Sequence, residues 1–166
     1  MMTGAKIILR TEIDAARDGL AGLAGVSWVM SLPQRRAAYR GHPAGRGRPG
    51  IVADGGAGLV AVTFGVMTAP AADHIVLPVG WEPVEPDDKF SVQLKGSIIL
   101  APATTPGHSA LTLSGVCQVP EAALTAGGCD QVRLELTETA REFIVGVARD
   151  ITGDAGTGCL GQSWAW

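Results

Sequence analysis

The stretch 90–100, FSVQLKGSIIL, decides the fold class. Phe90, Val92, Leu94, Ile98 and Leu100 share one parity, and Ser91, Gln93, Lys95 and Ser97 share the other. Successive side chains of a strand point to opposite faces, so this period of two reads as a half-buried strand with its apolar side inward. Downstream, residues 102–107 are turn chemistry, and 110–117 (ALTLSGVC) alternates again, with Leu111 and Leu113 opposite Thr112 and Ser114. Upstream, 73–82 (DHIVLPVGWE) and 59–66 (LVAVTFGV) read as two more strands, preceded by the turn residues Asp54-Gly55-Gly56. Short connections favour antiparallel pairing, because a parallel pair needs a long crossover. A sheet with one apolar face needs a cover.

The cover is the last long element. Over 130–151 the period becomes helical: Val132, Leu136, Ala140, Phe143, Val147 and Ile151 step by three or four, and charged residues fill most of the rest. Gly127 and Gly128 precede it, Asp130 is positioned to cap it, and Gly153 to end it. Each large side chain buried on this seam contributes roughly 1.5–3 kcal/mol, enough together to dock the helix.

The N-terminal third is less regular. Residues 5–11 read as a first strand carried by Ile7, Ile8 and Leu9. Asp14 is the expected N-cap of a short helix with Ile13, Ala16, Leu20, Leu23 and Ala24 at helical spacing. Gly19, Gly22 and Gly25 interrupt it, each weakening a helix interior by about 1 kcal/mol relative to Ala. A second helical piece is expected over 27–32, stopped near Pro33. Residues 34–50, QRRAAYRGHPAGRGRPG, read as an exposed, flexible loop that carries five of the thirteen basic residues. The tail 153–166 has no period and reads as mobile, with Trp164 and Trp166 leaving a docked tail as the alternative.

Length and composition bound the rest. A chain of 166 residues with 46% hydrophobic and 17% charged residues is one ordinary globular domain, not a disordered one. A net charge of −3 lacks the basic footprint of a nucleic-acid binder, so no nucleic-acid partner is expected. Cys117, Cys129 and Cys159 form neither a CxxC nor an even framework, which reads as reduced thiols in a cytoplasmic protein. The short apolar run at Ile7 to Leu9, closed by Arg10, is too short to read as a signal peptide, so no targeting segment is expected, and no run approaches the roughly 20 apolar residues of a membrane span.

Several sequence features invite chemistry. His74 beside Asp73 resembles an acid–base pair, but adjacent strand residues face opposite ways; counting from Leu77, Val79 and Trp81 puts Asp73 inside and His74 outside. His42, His74 and His108 share no ligand spacing, so no metal site is expected. The glycine-rich stretches near 45–48, 55–58 and 153–158 match no phosphate-binding pattern and read as turns. Ser97, Ser109 and Ser114 lie in no GxSxG context, and Cys117 reads as a small inward core residue. The loop Arg35 to Arg48 reads as a solvated linker, with a basic patch for an anion or for nucleic acid, Tyr39 its stacking platform, as the alternative. No catalytic residue is assigned.

The order of elements and the motifs Leu77-Pro78-Val79-Gly80-Trp81, Leu94 to Pro102, Leu111 to Gly115 and the helix from Asp130 to Asp150 resemble the SRPBCC superfamily, the helix-grip fold of START-like and polyketide cyclase-like proteins. The likeness is to uncharacterised, actinobacterial-type bacterial members. It covers about residues 72–152 and, loosely, 5–25, where Glu12-Ile13-Asp14-Ala15 matches but the family's Val-Trp pair does not follow. Residues 26–56 match no family pattern.

The resemblance implies an α+β domain over 1–152, with loop 34–56 inside it. A curved antiparallel sheet would wrap around the long C-terminal helix, with short helices after the first strand. It further implies a cavity between sheet and helix that binds a lipid-, sterol- or polyketide-like molecule without a cofactor. Its wall would be Val79, Trp81, Leu94, Ile98, Leu111, Leu113, Leu136, Ala140 and Phe143, with Thr63 and Asp73 as polar candidates and Arg35, Arg36 and Tyr39 at the mouth. Gly65, Gly96 and Gly115 would allow the strands to bend. The alternatives are a polyketide cyclase/dehydrase-type enzyme, which requires polar side chains inside, and a protein-interaction domain with a filled core.

Overall fold

A computed structural model describes residues 1–31, 59–71, 73–84, 92–121, 129–153 and 161–165. The chain runs β1 (Met2–Leu9), α1 (Ile13–Ala21), β2 (Ser27–Ser31), β3 (Leu59–Phe64), β4 (Thr68–Ala71), β5 (His74–Pro83), β6 (Gln93–Pro102), β7 (Ser109–Gln118), α2 (Cys129–Thr152) and β8 (Gly161–Ala165). The strands form one sheet in the order β2-β3-β5-β6-β7-β1-β8, and every pairing is antiparallel. β4 shares an edge of β5 with β3: β3 takes Val79–Pro83, and β4 takes the His74 and Val76 end.

The alternation read from residues 90–100 is the alternation of the sheet. Leu94, Ile98 and Leu100 are buried, and Lys95 is exposed. Phe90 and Ser91 lie outside the described residues. Registers align the inward positions of neighbouring strands into rows. One row is Ile75, Leu100, Leu111 and Ile7; the next is Leu77, Ile98, Leu113 and Ala5; then come Phe64, Val79, Gly96, Gly115 and Thr3; the last is Val62, Trp81, Leu94 and Cys117. All members of these rows except the two glycines are buried.

α2 covers this face. Val132, Leu136, Ala140, Phe143, Val147 and Ile151 are all buried and join the sheet in one hydrophobic core, with Ile144 and Ala148 added. Thr139, also buried, donates its hydroxyl to the Glu135 carbonyl at 2.7 Å, which satisfies a group that would otherwise be costly to bury. The Gly153 N–H donates to the Arg149 carbonyl at 3.0 Å and closes the helix where its position in the sequence predicts.

α1 packs on α2 through Gly19. A Cβ on Gly19 would sit 2.4 Å from the Ile151 carbonyl oxygen and 2.8 Å from Ile151 Cα. The residue that weakens α1 as an isolated helix is therefore the one that lets α1 approach α2. A second close approach joins β6 to β7 at the register pair Gly96–Gly115, where a Cβ on Gly96 would lie 2.5 Å from the Ser114 carbonyl oxygen.

Four expectations are corrected. Residues 27–31 are strand β2, not a helix: the N–H of Phe64 donates to the Val26 carbonyl, that of Gly25 to the Phe64 carbonyl, and the pairing continues through Ser27–Ser31 along β3. Ladder hydrogen bonds outweigh the helical reading of 27–32, a segment too short to nucleate a stable helix. Asp14 does not cap α1; Glu12 occupies the N-cap without a side-chain hydrogen bond, and Asp14 lies in the first turn, 3.3 Å from Arg17. Asp130 likewise lies inside the first turn of α2, 3.8 Å from Arg133. An acidic residue there still favours the positive end of the helix dipole.

The fourth correction concerns the tail 153–166. Its residues Gly161–Ala165 form β8 on the free edge of β1, with Thr3 opposite Ala165 and Ile7 opposite Gly161. β1 pairs with β7 on one side, which leaves a row of N–H and C=O groups on the other that β8 takes up.

Candidate functional site

The wall residues expected from the sequence come together. Val79 and Trp81 on β5, Leu94 and Ile98 on β6, Leu111 and Leu113 on β7, and Leu136, Ala140 and Phe143 on α2 belong to one buried cluster. The cluster includes an aromatic contact. Phe143 meets Trp81 edge-on, with centroids 5.2 Å apart and planes at 74°, and stacks on Phe64 at 6.3 Å and 16°. Such pairs contribute about 0.5–1.5 kcal/mol beyond the area they bury. They tie α2 to β3 and β5.

The expected polar candidates do not join that cluster. Thr63 lies between the buried Val62 and Phe64 on β3, and alternation turns it outward; it is exposed. Asp73 is also exposed, although its parity matches Ile75 and Leu77. β5 begins at His74, so Asp73 sits in the preceding turn, where strand alternation does not apply. For the same reason the two side chains meet instead of pointing apart: the His74 Nδ1–H donates to Asp73 Oδ1 at 3.0 Å. That hydrogen bond from His74 holds the Asp73 carboxyl below its ordinary value. Arg35, Arg36 and Tyr39 lie outside the described residues. Gly65 lies beyond the end of β3, not inside a strand, and its N–H donates to the Pro78 carbonyl at 2.8 Å.

The interior holds few polar groups. Among the described residues the buried polar ones are Thr3, Ser109 and Thr139. Thr139 is satisfied within α2, whereas Thr3 Oγ1, Ser109 Oγ and the indole Nε1 of Trp81 are buried without a hydrogen-bond partner among the described residues. Cys117 is buried in the Trp81 row, and burial pushes its thiol up to about 12. No three His, Cys, Asp or Glu side chains among the described residues gather in a way that could hold a metal. None of the described helices is long and apolar enough to cross a membrane.

Phe64 and Thr3 escaped the sequence reading of the wall. Phe64 shares the parity of Val60 and Val62 in LVAVTF, a signal already present in the strand. Thr3 shares the parity of Ala5, Ile7 and Leu9, but a strand started at Ala5 leaves it out; β1 begins at Met2.

No family model matches the chain, and no curated protein does. A solved crystal structure, that of a conserved protein from Geobacillus kaustophilus, is similar at 16% identity with a TM-score of 0.52, over 98% of this chain and 99% of that one. At that identity the likeness speaks to architecture alone. The chain is an α+β protein, an antiparallel sheet with a long C-terminal helix, and shares that fold with a structure of nearly the same extent.

Proposed function

We propose that the chain is a helix-grip protein of the SRPBCC type that binds a small hydrophobic molecule between the inward face of the sheet and α2. The observation that carries this reading is the layout of that face. Its outer rows present Ile, Leu and Trp side chains, but the row between Val79 and Thr3 presents two glycines. Gly96 and Gly115 add no side chain to this row, where the backbones of β6 and β7 come into close contact, so the row is lower than the Ile, Leu and Trp rows on the same face. Ligand sites are mostly apolar with a few placed polar groups, and this interior has that composition.

A filled core with its function on the surface is the second reading. The observation favouring it is that the wall residues from Val79 to Phe143 are at most 6% exposed. A cyclase/dehydrase-type activity loses support, since the two polar side chains it required, Thr63 and Asp73, are exposed.

Native mass spectrometry of the freshly purified chain, set against its denatured mass, separates the first two readings. It is followed by titration with the apolar fluorophore N-phenyl-1-naphthylamine. A small molecule lost on denaturation, or saturable one-to-one uptake of the fluorophore, is expected. A bare chain that also takes up no fluorophore after refolding refutes the binding reading in favour of the filled core.

A further inference from the structure

The Trp81 side chain is fully buried, and its Nε1–H finds no acceptor among the described residues. A buried indole N–H normally has a partner, because its hydration is lost on folding and nothing else replaces it. The neighbours of Trp81 account for this. Its register partners are Val62 on β3 and Leu94 on β6, and Phe143 lies edge-on against its ring. None of these side chains carries an oxygen. On α2 the buried hydroxyl of Thr139, one turn before Phe143, is directed to the Glu135 carbonyl. Among the described residues Trp81 is thus a donor without an acceptor, in an apolar region bounded by β3, β5, β6 and α2.

We infer that the Trp81 N–H is the polar anchor of a ligand: it donates to a carbonyl, ether or hydroxyl oxygen of a neutral, otherwise apolar molecule held between the sheet and α2. The inference rests on the binding reading above and narrows its ligand class. Neutrality follows from the lining. The buried polar side chains among the described residues are Thr3, Ser109 and Thr139, and none of them could compensate an ionised head group. A pure hydrocarbon would leave the indole N–H unpaired. One acceptor oxygen on an apolar body meets both conditions.

A matched pair of probes tests this on the full chain: 2-acetylnaphthalene, which carries a carbonyl, and 2-isopropylnaphthalene, which has the same number of heavy atoms without it. The readouts are the dissociation constants and the indole ¹H–¹⁵N resonance of Trp81, assigned from its contacts to the Phe143 ring. Both probes are expected to bind. The ketone should bind roughly two- to tenfold tighter, the range of one added hydrogen bond. It alone should move the Trp81 indole proton downfield, and Trp81→Phe should erase its advantage.

Equal affinities with an unmoved indole resonance would overturn the anchor while leaving the binding reading intact. So would a ketone advantage that survives in Trp81→Phe, or an indole proton that still contacts water with the ketone bound. Binding of neither probe would remove the site and the anchor together. If Trp81→Phe does not fold, the resonance and the affinity difference in the unaltered chain decide the matter without it.

Discussion

Replacing Gly19 by Ala sets local preference against tertiary contact, and the two predict opposite signs. Ala in place of Gly inside a helix favours the helix by about 1 kcal/mol, so an isolated α1 would gain. In the folded chain the new Cβ lies 2.4 Å from the Ile151 carbonyl oxygen, about 1.0 Å short of the 3.4 Å of ordinary contact. The obstacle is backbone inside α2 and cannot rotate away. α1 must therefore lift by a distance on the order of an ångström, and a gap of that size forfeits roughly a quarter to a half of each dispersion contact it opens. The contacts at stake are those of Ala16, Leu20 and Leu23, all buried.

Overpacking of this kind costs typically 1–3 kcal/mol. Taking the upper end, because the contact is with backbone, and subtracting the helical gain leaves a net loss of about 2 kcal/mol. With a urea slope of about 2 kcal/mol per molar, the unfolding midpoint followed by circular dichroism should fall by about 1 M. Gly22→Ala is the matched control: its Cβ would meet nothing closer than the Gly19 carbonyl oxygen at 3.3 Å, and its φ of −65° suits alanine, so its midpoint should hold or rise slightly. A Gly19→Ala midpoint equal to or above that of the unaltered chain would refute the close α1–α2 contact.

Further substitutions address the core, the free thiol and the exposed pair. Phe143→Ala removes the ring shared by Trp81 and Phe64 and should cost about 3–5 kcal/mol in urea unfolding; a loss under 1 kcal/mol would mean that α2 is not seated through it. The Cys117 thiol, raised from 9.0 to about 12, stays protonated in the native state while the unfolded thiol ionises above pH 9. Its contribution is therefore complete below pH 9 and is lost between pH 9 and 12, on the order of 1 kcal/mol by pH 10. Cys117→Ala should lack that component, and an identical pH slope in the two proteins would contradict it. Native Cys117 should also resist a thiol reagent at pH 8 that labels the exposed Cys129 at once, as peptide mapping would show. His74→Ala should raise the Asp73 carboxyl toward its ordinary value, read from its side-chain resonances on titration; an unmoved titration would mean that the 3.0 Å hydrogen bond does not form in solution.

Sequence and structure agree where a pattern repeats over many residues. The period of two in β5, β6 and β7 and the stripe of α2 name the buried residues from Val79 to Phe143, because burial acts on every second or every third to fourth side chain and so leaves its mark in the composition. The reading failed where alternation was carried past the end of a strand or where the parity was not followed: Asp73 precedes β5, and Thr63 is outward on β3. It also failed at segments held mainly by their backbones. β2 and β8 are each five residues long, and each is placed by ladder hydrogen bonds to a neighbour distant in sequence or already paired on its other side. Backbone groups are the same in every residue, so no side-chain pattern records which edge they will find.

The amino-acid sequence by itself therefore determined the α+β class, the antiparallel run and the helix that covers it, since each is a periodic partition of apolar from polar side chains. Only the tertiary structure decided the strand order, the addition of β8 to β1, the role of Gly19 against Ile151 and the indole of Trp81, unpaired among the described residues. These depend on which surfaces meet. A glycine is a defect or a contact, and an N–H is bonded or orphaned, according to a neighbour that lies far along the chain.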